Sequence, residues 1–261
     1  MKSNRKISLA IITVVVLSLA SLLLLTQLKT ASATVPHVTA SSMSAICKKS
    51  DIASAEVGVP RIDLSQVALP AGMPKVAAIV NGQDIPSAEL ESQVAVIQAN
   101  HKVELSQLPT NAPKDFRSRL TTSTTEARRE ALDSIIQETV LLQKGIKNGE
   151  VASVSRTQSY MQMMLDSIQT ESQTSPAYIS FMAYLCANKL TKASFLTNSV
   201  VVHTYQDALT IGSVKSSYFQ TLPASIQNNP GEAQSRMTNY IQSLQKAAKI
   251  QILLPSSFLT S

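Results

Sequence analysis

The stretch that decides the fold reads "VAAIVNGQDIPSAELESQV" and covers residues 76–94. Its apolar run, Val76–Val80, is followed by Asn81-Gly82, a pair that favours a tight hairpin turn because both residues accept positive φ. The returning arm is short, because Pro86 ends it and a helical pattern begins at Ser87. A two-stranded ribbon of this length is not stable alone, so Val76–Val80 needs a second strand partner.

The missing partner is predicted at the other end of the chain. In Ile250–Leu254, branched apolar residues recur at every second position, which is the period of a strand. We expect this segment to pair with Val76–Val80, so that a small β clasp joins the two ends of one domain. Residues 256–261 are then expected to form a tail.

Helical patterns fill the chain between these two strands. The first helix is predicted from Ser87 to just before Pro109, and the second from the capping box Ser123–Glu126 to Gly149. Further helices are predicted over residues 154–173, from Pro176 onward, 193–217 and 232–248. The run "SVVVHTY" also suits a strand, but it lies between helical segments with no turn signal inside, which favours a helix.

Composition agrees with a helical fold. Apolar residues make up 44% of the 261 residues and aromatic residues only 4%, tryptophan is absent, and glycine occurs 7 times. This composition is atypical of β-sandwiches, barrels and glycine-rich nucleotide-binding loops. The predicted fold class is therefore mostly α, with a multi-helix domain over residues 75–255 and a small β clasp joining its N- and C-terminal ends.

The N-terminus carries an export signal. Basic residues precede Ile7–Leu28, a run of 22 residues without a charge that is long enough to span a bilayer. Ala31 and Ala33 follow in the A-x-A arrangement of a signal-peptidase site. Residues 1–33 are thus either a cleaved signal peptide or an N-terminal transmembrane helix. In both cases we expect the remainder to be extracytoplasmic, either membrane-anchored or secreted after cleavage near Ala33.

The net charge of +6 is concentrated at the same end of the chain. Lys2, Arg5, Lys6 and Lys29 are four of the 23 basic residues, which leaves 19 against 17 acidic residues elsewhere. The sequence shows no basic stripe interleaved with aromatic residues. Nucleic acid is therefore not expected among the partners.

Residues 34–74 are rich in serine, alanine and proline and lack a sustained periodicity, which predicts a flexible linker with a short ordered piece near 61–69. This segment contains Cys47, and the other cysteine, Cys186, falls in a helical pattern. A disulfide between them is permitted in an exported chain. The favoured interpretation is a buried thiol at Cys186 and an exposed thiol at Cys47, with the bridge as the alternative.

One cluster of side chains is a candidate for peptide binding. It combines methionines with aromatic residues on two neighbouring helices: Tyr160, Met161, Met163, Met164, Tyr178, Phe181, Met182 and Tyr184. Thioethers repack around varied side chains, so these residues suit an adaptable groove. The alternative, which we favour for Met161 and Met164, is a helix core, because these residues have the spacing of a buried helical stripe.

No catalytic or cofactor site is predicted. His37, His101 and His203 lie in separate segments, without the paired spacing of a metal site or a neighbouring cysteine. His101 falls on an apolar helix face, where a core or helix-end role is the more common one. No carboxylate pair and no G-x-S-x-G sequence stands out. We therefore expect no cofactor, no metal and no enzymatic activity.

The order of these elements resembles the N-terminal chaperone domain of the SurA/PrsA-type extracytoplasmic foldases. Three segments within about residues 75–255 carry the resemblance: "VAAIVNGQDIPSAELESQ", "EARREALDSIIQETVLLQKGIKNGEVAS" and "YIQSLQKAAKIQILLP". Family members usually contain a parvulin prolyl-isomerase domain before the closing helix. Here only Ala187–Gly231 is available at that place, which is too short for such a domain. We therefore expect the isomerase domain to be absent.

The resemblance implies an exported chaperone-like protein. It would bind unfolded or nascent exported polypeptides by non-covalent contact, with the membrane as a second partner through the N-terminal segment. Two alternatives remain open at this point. One is an extracytoplasmic adaptor or scaffold module for a specific folded partner, and the other is a peptidyl-prolyl isomerase by family descent.

Overall fold

The computed structural model describes residues 40–109, 111–113, 117–118 and 120–260. The helices that we label are α1 (Ala40–Cys47), α2 (Ser50–Ala55), α3 (Ser87–Gln107), α4 (Thr124–Asn148), α5 (Val154–Thr170), α6 (Pro176–Ala187), α7 (Lys192–Thr197), α8 (Ser199–Gln220), α9 (Ala224–Gln227) and α10 (Pro230–Ala247). The strands are β1 (Val76–Val80), β2 (Gln83–Pro86) and β3 (Ile250–Ile252). The prediction of a mostly α fold with a small β clasp is confirmed.

The three strands form one sheet in the order β2-β1-β3, and both pairings are antiparallel. Between β1 and β3, Val80 lies opposite Ile250 and Ala78 lies opposite Ile252. The predicted pairing of the two ends of the domain is therefore confirmed. Strand β3 is shorter than the expected segment Ile250–Leu254, since regular pairing ends at Ile252.

The predicted Asn-Gly turn is present at Asn81 and Gly82, which both have positive φ, 51° and 87°. Asn81 also fixes β3, because its amide donates to the Lys249 carbonyl and its side-chain Oδ1 accepts from the Lys249 amide, each at 2.8 Å. From α4, the Gln143 side chain donates to the Val80 carbonyl at 3.0 Å. The hairpin turn thus sets the position at which β3 begins.

The first of two apolar cores, here named the sheet core, lies between the sheet and the helices α3 and α4. Apolar side chains from the strands meet those that recur on one face of each of the two helices. Its fully or almost fully buried members include Ala78, Val80, Ile85, Leu90, Ile97 and Ala131. The three short strands would not be stable alone, and burial of this apolar surface against α3 and α4 stabilises the sheet.

Helix α4 begins at the predicted capping box. The Ser123 hydroxyl accepts from the Glu126 amide at 3.2 Å, and the Glu126 carboxylate accepts from the Ser123 amide at 2.9 Å. The helix ends at Gly149 in the left-handed conformation, with φ of 72°. Near this end Gly145 lets α8 approach closely, because a Cβ atom there would lie 2.6 Å from the Thr210 Cγ2 atom.

The second core, here named the helical core, surrounds α6. Phe195 from α7 is fully buried at its centre. The Phe195 ring makes edge-to-face contacts with the rings of Phe181, Tyr184 and Tyr205, with centroid distances of 5.2, 6.2 and 5.6 Å. These geometries are the ones that aromatic quadrupoles favour, so the aromatic residues of α6 are part of the packing.

The described part of residues 34–74 differs from the flexible linker that we expected. Helices α1 and α2 pack against α6, with Met43 and Ile52 buried in the helical core. Cys47 is bonded to Cys186, so the alternative interpretation of the two cysteines is the one observed. Helices this short have little stability of their own, and tertiary packing and the disulfide hold them in place.

The segment that follows α2 connects the two cores. The Ile62 amide donates to the Asn188 side chain at the end of α6, at 2.9 Å, and the Arg61 guanidinium donates to the Ala187 carbonyl. The Arg61 amide donates to the Ser92 hydroxyl on α3, at 3.1 Å. Leu64–Gln66 then forms a short 3₁₀ helix, within the range where a short ordered piece was expected.

Several boundaries differ from the sequence prediction. The helix expected over 193–217 is divided into α7 and α8, because Asn198 has an extended backbone and its side chain caps α8 by accepting from the Val200 and Val201 amides. Helix α5 ends at Thr170 rather than near 173. Instead of a free tail, residues 256–260 include the 3₁₀ helix Ser256–Phe258 and pack on the domain.

Among the residues that the structure describes, no helix has both the length and the hydropathy that a membrane crossing needs. The predicted signal peptide or membrane anchor over 1–33, including the cleavage position near Ala33, lies outside the described residues.

Candidate polypeptide-binding surface

Five of the eight residues predicted to bind peptides are buried in the helical core: Met161, Tyr178, Phe181, Met182 and Tyr184. Met161 and Met182 have no exposed surface at all. Burial also raises the pKa of the Tyr184 hydroxyl to about 12, because the apolar surroundings disfavour the phenolate. These five residues are therefore packing residues of the helical core, and their side chains are not accessible to a ligand in this structure.

The other three predicted residues, Tyr160, Met163 and Met164, lie nearer the surface. Tyr160 is half-buried with its ring centroid 6.5 Å from that of Tyr205, and the Tyr205 hydroxyl lies 3.8 Å from the Met164 sulfur. Met163 is 36% exposed and lines a shallow depression between α5 and α7. The depression is also lined by five polar residues and one apolar residue: Gln158, Ser159, Gln162, Asp166, Thr197 and Leu196. Of the eight predicted residues only Met163 lines this depression, so the cluster does not come together as one groove.

The histidines show no catalytic arrangement within the described residues. His101 is buried in the last third of α3, with its Nδ1 atom 2.9 Å from the Thr122 hydroxyl, in agreement with the predicted core or helix-end role. His203 is exposed and lies 3.6 Å from Asp207, one turn further along α8. In the same part of the chain, no three His, Cys, Asp or Glu side chains are placed to share a metal ion. His37 lies outside the described residues.

The most exposed apolar side chains of the sheet are on β3. Ile250 is 36% exposed and Ile252 is 49% exposed. Because residues directly opposite each other in an antiparallel pair share a face, both isoleucines lie on the face of Val80 and Ala78, which are fully buried. At β3 this apolar face therefore extends from the sheet core into solvent.

The backbone of β3 is open on its outer side. The Lys249 carbonyl accepts from the Asn81 amide of the turn at 2.8 Å, and the Leu253 amide donates to the Ala77 carbonyl of β1 at 2.9 Å. Since backbone groups alternate in direction along a strand, the N–H and C=O groups of Ile250 and Ile252 point away from β1. Within the described residues β3 is the last strand of the sheet, so these groups form a free edge.

This edge is held in place beyond both ends of the strand. Asn81 fixes the start through Lys249, and buried Leu254 fixes the end. Beyond Leu254, Arg128 of α4 donates to the Phe258 carbonyl at 3.2 Å, and its guanidinium lies 5.5 Å from the centroid of the Phe258 ring. The C-terminal segment therefore orders β3 instead of leaving it to fray.

Arg128 is itself fixed by Glu91 of α3. The guanidinium makes two hydrogen bonds to the carboxylate, Nε to Oε1 at 2.6 Å and Nη2 to Oε2 at 3.1 Å. Both side chains are nearly buried, with 7% and 12% of their surface exposed. A paired, two-bond contact of this kind fixes the geometry of the planar guanidinium.

The opposite edge of the sheet is protected against further pairing. Strand β2 carries the exposed charge of Asp84, ends at Pro86, which has no N–H, and has an irregular register against β1. Natural sheets use charges, prolines and bulges of this kind to prevent edge-to-edge association. Strand β3, with the sequence Ile-Gln-Ile, has no charge and no proline, and its two edge isoleucines are exposed.

The charge near the free edge is positive. Lys246 and Lys249 are both exposed and lie just before β3 in the chain. The segment from Lys246 to Pro255 contains no acidic residue. Neither lysine forms an ion pair with a described acidic residue, although Asp133 of α4 accepts from the neighbouring Gln245 side chain at 3.1 Å. The N-terminal end of the edge is therefore favourable for an anionic group.

The sequence pattern predicts Ile250 and Ile252 as residues of a strand, but it does not mark them as a candidate binding site. The available signal was the lack of a charge in the last strand, in contrast to Asp84 in β2. Periodicity alone does not show whether a strand is central or at an edge, and exposure follows from that placement.

Comparison with known proteins adds no relative: no family model, no curated protein and no solved structure matches the chain.

Proposed function

We propose that this protein is an extracytoplasmic chaperone-like protein that binds unfolded or nascent polypeptide segments by non-covalent contact. The observation that carries the proposal is the exposed apolar edge formed by Ile250 and Ile252 on an ordered strand. The edge offers unpaired backbone groups and accessible apolar side chains. An unfolded chain also has unpaired backbone groups and accessible apolar side chains, so the two can pair with each other.

Two further observations support this proposal. The disulfide between Cys47 and Cys186 fits an oxidising compartment outside the cytoplasm, as expected for a chain with an export signal. The β clasp that joins the two ends of a helical domain fits the resemblance to the SurA/PrsA-type N-terminal chaperone domain. In this proposal the domain acts by binding alone, because equal binding of planar and twisted amides would not accelerate prolyl isomerisation.

Aggregation assays with variants of the edge test the proposal. The wild-type protein should suppress aggregation of two unrelated proteins, one unfolded by heat and one by reduction. An Ile250→Ser, Ile252→Ser double variant should lose most of this effect. A matched control is Val154→Ser, Val200→Ser, since these residues are 51% and 49% exposed but lie on α5 and α8, which are not part of the sheet core.

Other results would contradict the proposal. If the control variant loses as much suppression as the edge variant, the effect does not depend on β3. If the protein captures one folded partner and suppresses no aggregation, it is an adaptor. If the pure protein accelerates isomerisation of a proline-containing peptide, the isomerase alternative replaces the proposal.

A further inference from the structure

We infer that the bound segment adds to β3 as a fourth, antiparallel strand, with its C-terminal end beside Lys249. This inference rests on the proposed function and specifies how the polypeptide is recognised. It defines the ligand as an extended segment with apolar residues at alternate positions and free N–H groups at those same positions.

The outward backbone groups of Ile250 and Ile252 set the hydrogen-bonding positions of the bound segment, called the guest here. In an antiparallel ladder, a residue whose N–H and C=O point toward the neighbouring strand exchanges both bonds with the residue opposite. Ile250 and Ile252 present these groups outward, whereas Gln251 lies between them and faces Ile79 of β1. The guest residues opposite Ile250 and Ile252 therefore need free N–H groups, and the guest residue between them does not.

The side-chain preference follows from the same register. Residues directly opposite each other share a face of the sheet, with Cβ atoms about 5 Å apart. The guest residues opposite Ile250 and Ile252 thus extend the exposed apolar face of β3. The intervening guest residue shares the face of Gln251, which is exposed and polar. The required pattern is apolar–polar–apolar, and a proline at either apolar position is excluded because it has no N–H.

The ends of β3 limit the length of the contact. The Lys249 carbonyl is bonded to Asn81 and the Leu253 amide to Ala77 of β1. Leu254 is buried, and Pro255 follows. The recognised segment is therefore about three residues long, which implies weak binding at a single site. Weak binding with a short, common pattern suits the holding of many unrelated unfolded chains.

The two lysines before β3 favour a guest segment from another protein over a second copy of this chain, and they favour one direction of that guest. In an antiparallel arrangement the C-terminal end of the guest lies beside the start of β3, where Lys246 and Lys249 are exposed. A second copy of this chain would pair β3 with β3 and place each Lys249 opposite a Leu253 of the other copy. That pairing leaves the lysines without an anionic partner, whereas a guest with acidic residues after the pattern supplies one.

A set of labelled peptides tests this mode of binding by fluorescence anisotropy. The parent probe is Ser-Val-Thr-Val-Asp-Glu. One derivative carries N-methyl groups on both valines, and an isomeric derivative carries them on the threonine and the first acidic residue. Loss of the valine N–H groups should weaken binding about tenfold or more. The isomeric derivative should bind within about twofold of the parent, because its methylated amides point away from β3.

The direction of the guest is tested with Asp-Glu-Ser-Val-Thr-Val, which has the acidic residues at the other end. It should bind several-fold more weakly than the parent at low salt, and the difference should fall as salt is added. Tighter binding of this peptide than of the parent would overturn the antiparallel orientation.

Three results would separate failure of this inference from failure of the proposed function. Equal affinity of both N-methylated isomers, with binding still lost in the Ile250→Ser, Ile252→Ser variant, would overturn strand addition and leave polypeptide binding intact. A dimer in sedimentation equilibrium that the same double variant dissociates would show that β3 binds a second copy instead. Absence of both peptide binding and aggregation suppression would overturn the inference and the proposed function together.

Discussion

Cys47 and Cys186 are joined by a disulfide across a sequence separation of 139 residues, with their Cα atoms 5.6 Å apart. The bond ties α1, which lies near the start of the described chain, to α6 at the centre of the helical core. A cross-link that closes so long a loop restricts the unfolded chain strongly. The short helices α1 and α2 are therefore an integral part of the domain that carries β3.

Removal of this bond should destabilise the protein. We expect a Cys47→Ala, Cys186→Ala variant to lose about 2–5 kcal/mol in the free energy of unfolding, the range found for native disulfides. Wild-type protein in excess reductant should unfold at the same denaturant concentration as the variant in the absence of reductant. Equal stability of oxidised and reduced wild type would show that the bond contributes nothing.

Loss of the ion pair between Arg128 and Glu91 should lower the free energy of unfolding far more than loss of an exposed ion pair. An Arg128→Ala substitution leaves the nearly buried Glu91 carboxylate uncompensated and should cost about 3–5 kcal/mol. The matched control is Arg236→Ala, because Arg236 and Glu232 form an exposed pair at 3.9 Å, and its loss should cost less than about 1 kcal/mol. Equal losses in urea unfolding would contradict the role assigned to Arg128.

Two glycines in helices should respond in opposite directions to alanine. Gly145→Ala in α4 places a Cβ atom 2.6 Å from Thr210 Cγ2 and 3.0 Å from Val214 Cγ2, so α8 must shift, at a cost of about 1–3 kcal/mol. At Gly212 in α8 a Cβ atom meets nothing within 4 Å, and alanine should stabilise the helix by about 0.5–1 kcal/mol. Thermal unfolding of both variants checks this, and a stabilised Gly145→Ala variant would be inconsistent with the observed packing of α8 on α4.

The helical core should lose stability at alkaline pH. Burial raises the pKa of Tyr184 to about 12, above its ordinary value of about 10. The folded state therefore holds this proton more tightly than the unfolded state. The corresponding stability is fully present below about pH 10 and is lost as the pH rises toward 12.

A Tyr184→Phe variant should show less of this loss. Part of the loss will remain, because burial raises the pKa of Tyr205 as well. Urea unfolding at several pH values across this window measures the difference between the two proteins. Parallel curves for wild type and variant would mean that Tyr184 ionises equally well in both states.

The elements that the sequence predicts correctly are those with local chemical signals. The Asn81-Gly82 turn, the capping box at Ser123 and the left-handed Gly149 each act within a few residues. The long-range pairing of β1 with β3 was predictable too, because the turn leads into an arm that Pro86 cuts short. A strand without a sufficient partner implies another strand, and the chain offers one with the right period.

The disulfide and the packed N-terminal helices were not predictable in the same way. Whether Cys47 and Cys186 bond depends on a Cα distance that only the folded chain defines. Exposure is equally a tertiary property. Met161 and Met163 are two residues apart on one helix, yet the first is buried and the second is exposed. For this reason the predicted peptide-binding cluster is mostly core, and the exposed apolar edge was seen only as a strand.

The most direct test of polypeptide binding at β3 is amide hydrogen exchange of the full chain with and without an unfolded client, such as reduced and carboxymethylated lactalbumin. In the free protein the Ile250 and Ile252 amides should exchange fast, because they point outward, and the Leu253 amide, bonded to Ala77, should exchange slowly. Addition of the client should slow the exchange of Ile250 and Ile252 and leave that of Leu253 unchanged. Unchanged exchange at Ile250 and Ile252 while the client is bound would contradict the assignment of β3 as the binding edge.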